Sequence, residues 1–251
     1  MENILLPNST NITEDEKNTA TITIEPLYPG YGTTVGNALR RVMLSSLPGA
    51  AVTSVKIIGV DHEFSTIDFV KEDVVEIILN LKKLNFKLKG DEAVKANLKI
   101  SSVKKVTGKE IKLPTQATLI NTDQHIATVT DAKSKLEMEL TIENGRGYVP
   151  IETRDKEKQE IGNIAIDAIY TPVRNVNFEN EHVRVGQFTN YDRLKLQVKT
   201  DGTITPTEAL SQATNLLIDH FKAIEENSKS KNDTKGKKDT VKKPEVKNVE
   251  Q

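Results

Sequence analysis

The chain has 251 residues, enough for one large domain or two small ones, with 36% hydrophobic and 28% charged residues. It contains no Cys and no Trp, which excludes a disulfide scaffold and any thiolate metal site and fits a reducing compartment. The net charge of −1 hides an asymmetry. Residues 227–251 hold eight Lys against four acidic residues, a net +4, which leaves −5 for the rest and argues against broad nucleic-acid binding by the folded part.

The N-terminus, MENILLPNST, has neither a basic region nor a long apolar core, and no run approaches the roughly 18 apolar residues of a membrane span, so no secretory leader and no membrane association are expected. Residues 19–25, TATITIE, alternate as a strand. The next segment, PLYPGYGTTVGNALRRVMLSSLPG, carries Gly30, Gly32 and Gly36 and opens a helix expected from Thr33 or Thr34 to Leu47, stopped before Pro48-Gly49. A strand, a glycine-rich turn and a helix invite a nucleotide site. The spacing Gly30-x-Gly32-x-x-x-Gly36 is one residue longer than the dinucleotide fingerprint, and no Gly-Lys-Ser/Thr opens the helix. Asp61, near where a ribose-binding acid would stand, keeps that reading open beside a purely structural turn. Val35, Leu39, Val42 and Ser46 share one helix face, while Leu44 and Leu47 lie on nearly the other side. A helix apolar on more than one side is expected where its own domain and something else both cover it. Arg40 and Arg41 diverge by about 100°, so each serves its own surface; an interface ion pair and a plain solvated charge are both open.

Further on, residues 51–60, 95–106, 116–121, 125–130, 135–143 and 161–173 read as strands. Residues 72–84 read as a helix with Val74, Ile77, Ile78, Leu81 and Leu84 on one stripe, and residues 154–160, RDKEKQE, as a charged loop. Residues 61–66, DHEFST, put Asp, His and Glu in a row and raise an acid–base or metal reading. Strand neighbours point to opposite faces, and His125, His182 and His220 are scattered, so a polar loop is the simpler reading. Residues 143–150, ENGRGYVP, give turn signals at Asn144-Gly145 and Arg146-Gly147 before an extended YVP.

Near the end, Leu194, Leu196 and Val198 alternate in a strand that turns at Asp201-Gly202. The clearest helix follows: Thr205 as cap, Pro206 first, Glu208 completing a capping box, and a stripe of Leu210, Ala213, Leu217, Phe221 and Ile224, widened by Leu216 and Ile218. Residues 227–251 have too few apolar side chains to offset the entropy of ordering, so a disordered tail is expected, either merely solvated or in weak contact with an anionic partner. Runs of strands with few helices point to α+β rather than alternating βαβ units. No nucleophile, base and orienter assemble, and no closely spaced aspartates could hold a catalytic Mg²⁺, so no catalytic residue, metal site or cofactor is expected.

In order, GYGTTVGNALRRVMLSSLPGAAVTSVKIIGVDHEFST, KEDVVEIILNLKKL, ENGRGYVP, IDAIYTPVRNVNF and TNYDRLKLQVKTDGTITPTEAL resemble the α subunit of bacterial RNA polymerase, in its N-terminal assembly domain. The long GNALRRVMLSS…PG run together with GRGYVP and TDGTITPTEA carries the resemblance. It implies an α+β fold in which a discontinuous dimerisation subdomain, helices packed on an antiparallel sheet, takes residues 1–48 and 173–226. A mostly β subdomain, residues 49–172, is inserted in it, and residues 227–251 form the tail.

The implied function is non-catalytic scaffolding. Two α subunits form a homodimer that recruits the β and β′ subunits, with ω and sigma factor in the complex, DNA touched only indirectly and a cytoplasmic location. Carried over by position, Arg41, His62, Glu63, Phe64, Ser65 and Thr66 face β. Lys82, Ile166, Asp167, Pro172, Arg184 and Gln187 fall in or near β′-facing regions. The first and last helices would pack against their copies, giving Val35, Leu39, Val42, Leu210, Leu217 and Phe221 as dimer contacts. Most members continue into a small helical domain that binds promoter DNA and activators; if Gln251 is the natural end, that function is expected to be missing or much reduced. The rivals are a nucleotide-dependent oxidoreductase built on the glycine turn, and the related archaeal or eukaryotic assembly subunits. GRGYVP and the lack of a Cys cluster favour the bacterial type over the latter.

Overall fold

The computed structural model describes residues 4–131, 135–154 and 162–235. Its elements are β1 (Ser9–Glu16), β2 (Thr19–Leu27), α1 (Tyr31–Ser45), β3 (Pro48–Ile57), α2 (Val74–Leu81), β4 (Phe86–Leu88), β5 (Val94–Ile100), β6 (Lys104–Thr107), β7 (Ala117–Leu119), β8 (His125–Val129), β9 (Leu136–Arg146), β10 (Tyr148–Val149), β11 (Asn163–Ala165), β12 (Ala168–Ile169), β13 (Val173–Val185), β14 (Phe188–Thr200) and α3 (Pro206–Lys235). The fold is α+β with antiparallel strand pairing.

Four strands in the order β1-β2-β14-β13 form one sheet, so strands from the two ends of the chain lie side by side. In β14, Leu194, Leu196 and Val198 are buried as their alternation predicts, and Ile22 of β2 pairs opposite Leu196. In this sheet the sequence reading missed the two edge strands; in the other it missed the three-residue β4. β1 exposes nearly every side chain, so it has no apolar alternation to detect. β13 buries only Val173 and Val176, and a two-residue turn at Gly186-Gln187 joins it to β14.

α1 lies across β13 and β14. It begins at Tyr31, earlier than expected, because Gly30 adopts a left-handed conformation (φ 86°) that turns the chain directly into the helix. Its buried face is Gly32, Gly36, Leu39 and Met43, not the Val35–Leu39–Val42 face expected from side-chain periodicity. A Cβ on Gly36 would stand 2.8 Å from both Leu194 Cδ1 and Phe178 Cδ2, and one on Gly32 would stand 2.2 Å from Asn180 Oδ1. These glycines let the helix backbone press onto the sheet.

A second sheet runs β5-β9-β3-β4-β7, with β11 also on β3. Its inner side chains, including Val55, Leu98, Leu140, Ile142 and Phe86, pack with Val74, Ile77 and Leu81 of α2 and with Val106, Ile126 and Val129 of the β6–β8 pair. α2 starts at a side-chain cap, Asp73 Oδ1 accepting from the Glu76 N–H at 2.7 Å. The strand expected over 95–106 is two, β5 and β6, in different sheets; the one expected over 161–173 is β11 and β12, also in different sheets. Asn144-Gly145 is not a turn. β9 runs through to Arg146, with Gly145 paired opposite Gly49, and only Gly147 (φ 65°) turns the chain. Tyr170 explains both glycines. A Cβ on Gly145 would be 2.5 Å from its ring, and one on Gly49 would be 1.8 Å from its carbonyl oxygen.

α3 opens with the expected capping box: the Thr205 N–H donates to Glu208 Oε2 at 3.0 Å and the Glu208 N–H to Thr205 Oγ1 at 3.2 Å. Residues through Ala213 belong to one compact unit, and the chain from Thr214 onward forms another. The helix continues to Lys235, so residues 227–235, expected within the unstructured tail, are helical. No Gly or Pro stands in the way before Gly236, and a Glu225–Lys229 ion pair supports the turn from which the extension starts. The rest of the expected tail, and residues 155–160 of the expected charged loop, lie outside the described residues.

Candidate functional site

The glycine turn before α1 has its own anion. Asp192, buried at 1% exposure on β14, places Oδ2 2.9 Å from the Gly30 N–H and 3.0 Å from the Gly32 N–H. These are unsatisfied donors at the helix start, where a phosphate would bind. The chain's own carboxylate fills that position, so the nucleotide reading of the turn falls. Asp61, its proposed ribose-binding acid, is exposed in the loop after β3. Among the described residues no three His, Asp or Glu side chains gather as a metal site, and no helix is long and apolar enough to cross a membrane.

On the outer side of α1 the two arginines part as their 100° offset requires. Arg40 turns back to its own subunit and donates from Nε to the Val176 carbonyl at 3.1 Å. Arg41 is exposed, and its guanidinium has no hydrogen bond or ion pair among the described residues.

The loop carrying His62, Glu63, Phe64, Ser65 and Thr66 joins β3 to α2. Its tip is a tight turn in which the Ser65 N–H and hydroxyl both donate to the His62 carbonyl, at 3.3 and 2.7 Å. Phe64 is 80% exposed, and Phe69, lower in the loop, is half exposed. Two large aromatic rings on one loop thus face solvent, where covering them would be favourable.

Lys82, at the end of α2, meets Asp167 at 3.2 Å. Asp167 also accepts from the Ile151 N–H at 3.1 Å. Partial burial alone would raise its carboxyl, but the Ile151 N–H, Lys82 and the Tyr148 hydroxyl together hold it below the ordinary carboxylate range. The same contact raises Tyr148, through desolvation first and the Asp167 charge next. Lys82 and Asp167 are thus brought together beside the exposed Tyr148 and Ile169. Ile166 is different: at 1% exposure it belongs to the central core cluster, and Pro172 is buried too, so neither offers a surface to a partner. Arg184 and Gln187 are at the exposed β13–β14 tip, where Arg184 Nε donates to the Gly186 carbonyl at 2.9 Å.

Of the expected dimer contacts, Leu39 is packed inside its own subunit (5% exposed), while Val35 and Val42 flank it half-buried. On α3, Leu210 and Leu217 are half-buried, and Phe221 (63% exposed), Ile218 and Ile224 form an exposed apolar stripe. Two buried, hydrogen-bonded carboxylates escaped the sequence reading, Asp192 and Glu72. Asp192 left a signal: it has the same strand parity as Leu194, Leu196 and Val198 and so had to face inward. Glu72 left none, because the β8 residues that receive it are more than 50 positions away.

The family model of the RNA polymerase Rpb3/RpoA insert domain matches residues 55–171. The DNA-directed RNA polymerase subunit alpha of Roseiflexus sp. (strain RS-1) is 46% identical over 89% of this chain and 68% of its own length. The chain belongs to the DNA-directed RNA polymerase subunit alpha family. The subunit alpha of Clostridium kluyveri is 49% identical over 84% of this chain and 66% of its own, and that of Carboxydothermus hydrogenoformans 50% over 79% and 63%. The chain thus spans just under two thirds of the length of these last two relatives. In this chain the matched segment holds the 61–66 loop, Lys82 and Asp167, whereas Arg41, the β13–β14 tip and α3 lie outside it.

Proposed function

We propose that this chain is a non-catalytic assembly subunit of DNA-directed RNA polymerase. Residues 1–48 and 173–226 form a subdomain through which two copies pair, and residues 49–172 form the inserted subdomain. The pair recruits β through Arg41 and the loop at His62, Glu63, Phe64, Ser65 and Thr66, and β′ through Lys82, Asp167, Arg184 and Gln187. Nucleotidyl transfer, and contact with ω, sigma factor and DNA, belong to the assembled cytoplasmic complex.

The observation that carries this reading is the contrast between neighbouring arginines. Arg40 is committed to Val176, and Arg41 is an exposed fork of donors with no hydrogen bond or ion pair among the described residues. A planar guanidinium on a rigid helix is suited to bidentate capture of a partner's carboxylate, and Arg is among the residues that dominate interface energetics. Arg41→Ala is expected to leave the dimer intact in sedimentation and to weaken capture of purified β by about 2 kcal/mol, roughly thirtyfold. Unchanged affinity for β would sink the role of Arg41.

A further inference from the structure

We propose that Glu72 is the positioning residue of the exposed 61–69 loop: its buried carboxylate pins the trailing end of the loop to β8, so that Phe64 is presented in one place. The inference rests on reading this loop as the β contact.

Glu72 is only 7% exposed and stands at the foot of the loop, next to the cap of α2. Both of its oxygens are used. Oε2 accepts from the Thr128 N–H at 2.6 Å, and Oε1 accepts from the Thr128 hydroxyl at 2.9 Å and lies 2.9 Å from His125 Nε2. All three partners are on β8. Backbone contacts extend the attachment: the Lys71 N–H donates to the Thr128 carbonyl at 3.0 Å, and Val70 bridges to Val129. Above this, Phe69 is held at φ 62°, a conformation a bulky residue avoids, while its carbonyl accepts from both the N–H and the hydroxyl of Thr130 at 2.8 Å. Such a conformation persists only where its surroundings over-determine it.

The tip is held much less. The described residues offer no hydrogen bond or ion pair to the side chains of Asp61, His62 or Glu63, and the Val74 N–H to the Ser65 carbonyl, at 3.3 Å, is the backbone link from the tip to α2. The position of Phe64 therefore depends on the foot. A buried carboxylate with its partners in place is fixed strongly, because leaving those partners unmet is costly. Without it, the binding-ready position is one of several, and affinity for a partner falls by the fraction of time spent there.

The test uses the full chain as a dimer, with purified β subunit as the probe. Glu72→Ala is expected to raise amide exchange across residues 62–71 by about tenfold, with β9 unchanged, and to weaken β capture by about tenfold. Glu72→Gln keeps an acceptor for the Thr128 N–H and is expected to lose less of both; it also serves if Glu72→Ala fails to fold. In a Phe64→Ala background, Glu72→Ala is expected to cost clearly less affinity than in wild type, a coupling that a general loss of stability would not produce. If Phe64→Ala weakens capture while neither Glu72 variant changes loop exchange or affinity, the positioning role is overturned. If Phe64→Ala leaves capture unchanged while Glu72→Ala still frees the loop, the β-contact reading is what fails.

Discussion

The six-stranded sheet and the sheet that carries α1 treat their apolar residues differently. In the first, α2 and the β6–β8 pair close over the inner face, and Ile77, Leu81, Phe86, Ile126 and Leu140 are all sealed from solvent. In the second, α1 seals one face with Leu39 and Met43 but leaves Val35 and Val42 half-covered. Farther along the chain, α3 from Thr214 onward has Ile218, Phe221 and Ile224 exposed. At about 25 cal/mol per Å² of apolar surface, covering such side chains would add stabilisation, and the proposed pairing of two copies is one way to do so. The insert encloses its own core, whereas α1 and α3 leave apolar side chains open, as the proposed pairing of two copies requires.

The strongest way to break this contrast is at Phe221. Phe221→Asp is expected to weaken self-association by about 3 kcal/mol or more, over a hundredfold, and to give monomers at micromolar concentration in sedimentation. The insert should melt as before. A dimer of unchanged affinity, or a wild-type chain that is already monomeric, would remove the lesson drawn from the exposed stripe.

A smaller effect separates tight packing from backbone conformation. Gly145→Ala would drive a methyl against the Tyr170 ring and is expected to cost about 1–3 kcal/mol, seen as a lower thermal midpoint. Gly30→Ala meets no atom within 4 Å and should cost only the left-handed conformation, about 1 kcal/mol. Equal losses at the two sites would show that the Tyr170 contact yields easily.

The smallest effect is a pH dependence carried by two carboxylates of the insert. The carboxyl of Glu72 would be raised by burial, but His125 and Thr128 hold it below its ordinary value, and Asp167 is lowered likewise. A lowered folded value means that the unfolded chain takes up protons first as pH falls. The stabilisation is therefore complete above the ordinary carboxylate range of roughly 4 and is lost as pH drops through the lowered values. Urea titrations from pH 6 to pH 3 should show wild type losing more stability than Glu72→Gln. Parallel losses would mean that Glu72 contributes no linkage.

What could be read from the residues followed from what each kind of pattern records. The capping box at Thr205 and Glu208, the alternation of β14 and the divergence of Arg40 from Arg41 are local geometry, and each is present. The packed face of α1 escaped because periodicity counts side chains, and two of its four buried positions are glycines whose role is to have none. The edge strands β1 and β13 escaped because mostly exposed strands need no apolar period. Of the candidate surfaces, the exposure of Arg41 and Phe64 suits a contact, but Leu39, Ile166 and Pro172 are internal, since position within a family segment does not say which way a side chain faces.

The clasp between Asp192 and the start of α1 also bears on the order of assembly during synthesis. It joins groups about 160 positions apart, and β2, paired on one edge with β1, finds the partner for its other edge only in β14. A ribosome releases the whole insert before it releases β14, which carries Asp192. The first helix emerges early and must then remain without its sheet until the last strand arrives, while the insert can already close its core. Nascent chains halted after the insert should therefore expose α1 to protease but protect β9, and the chain's slowest folding step should be the return of its end to its beginning.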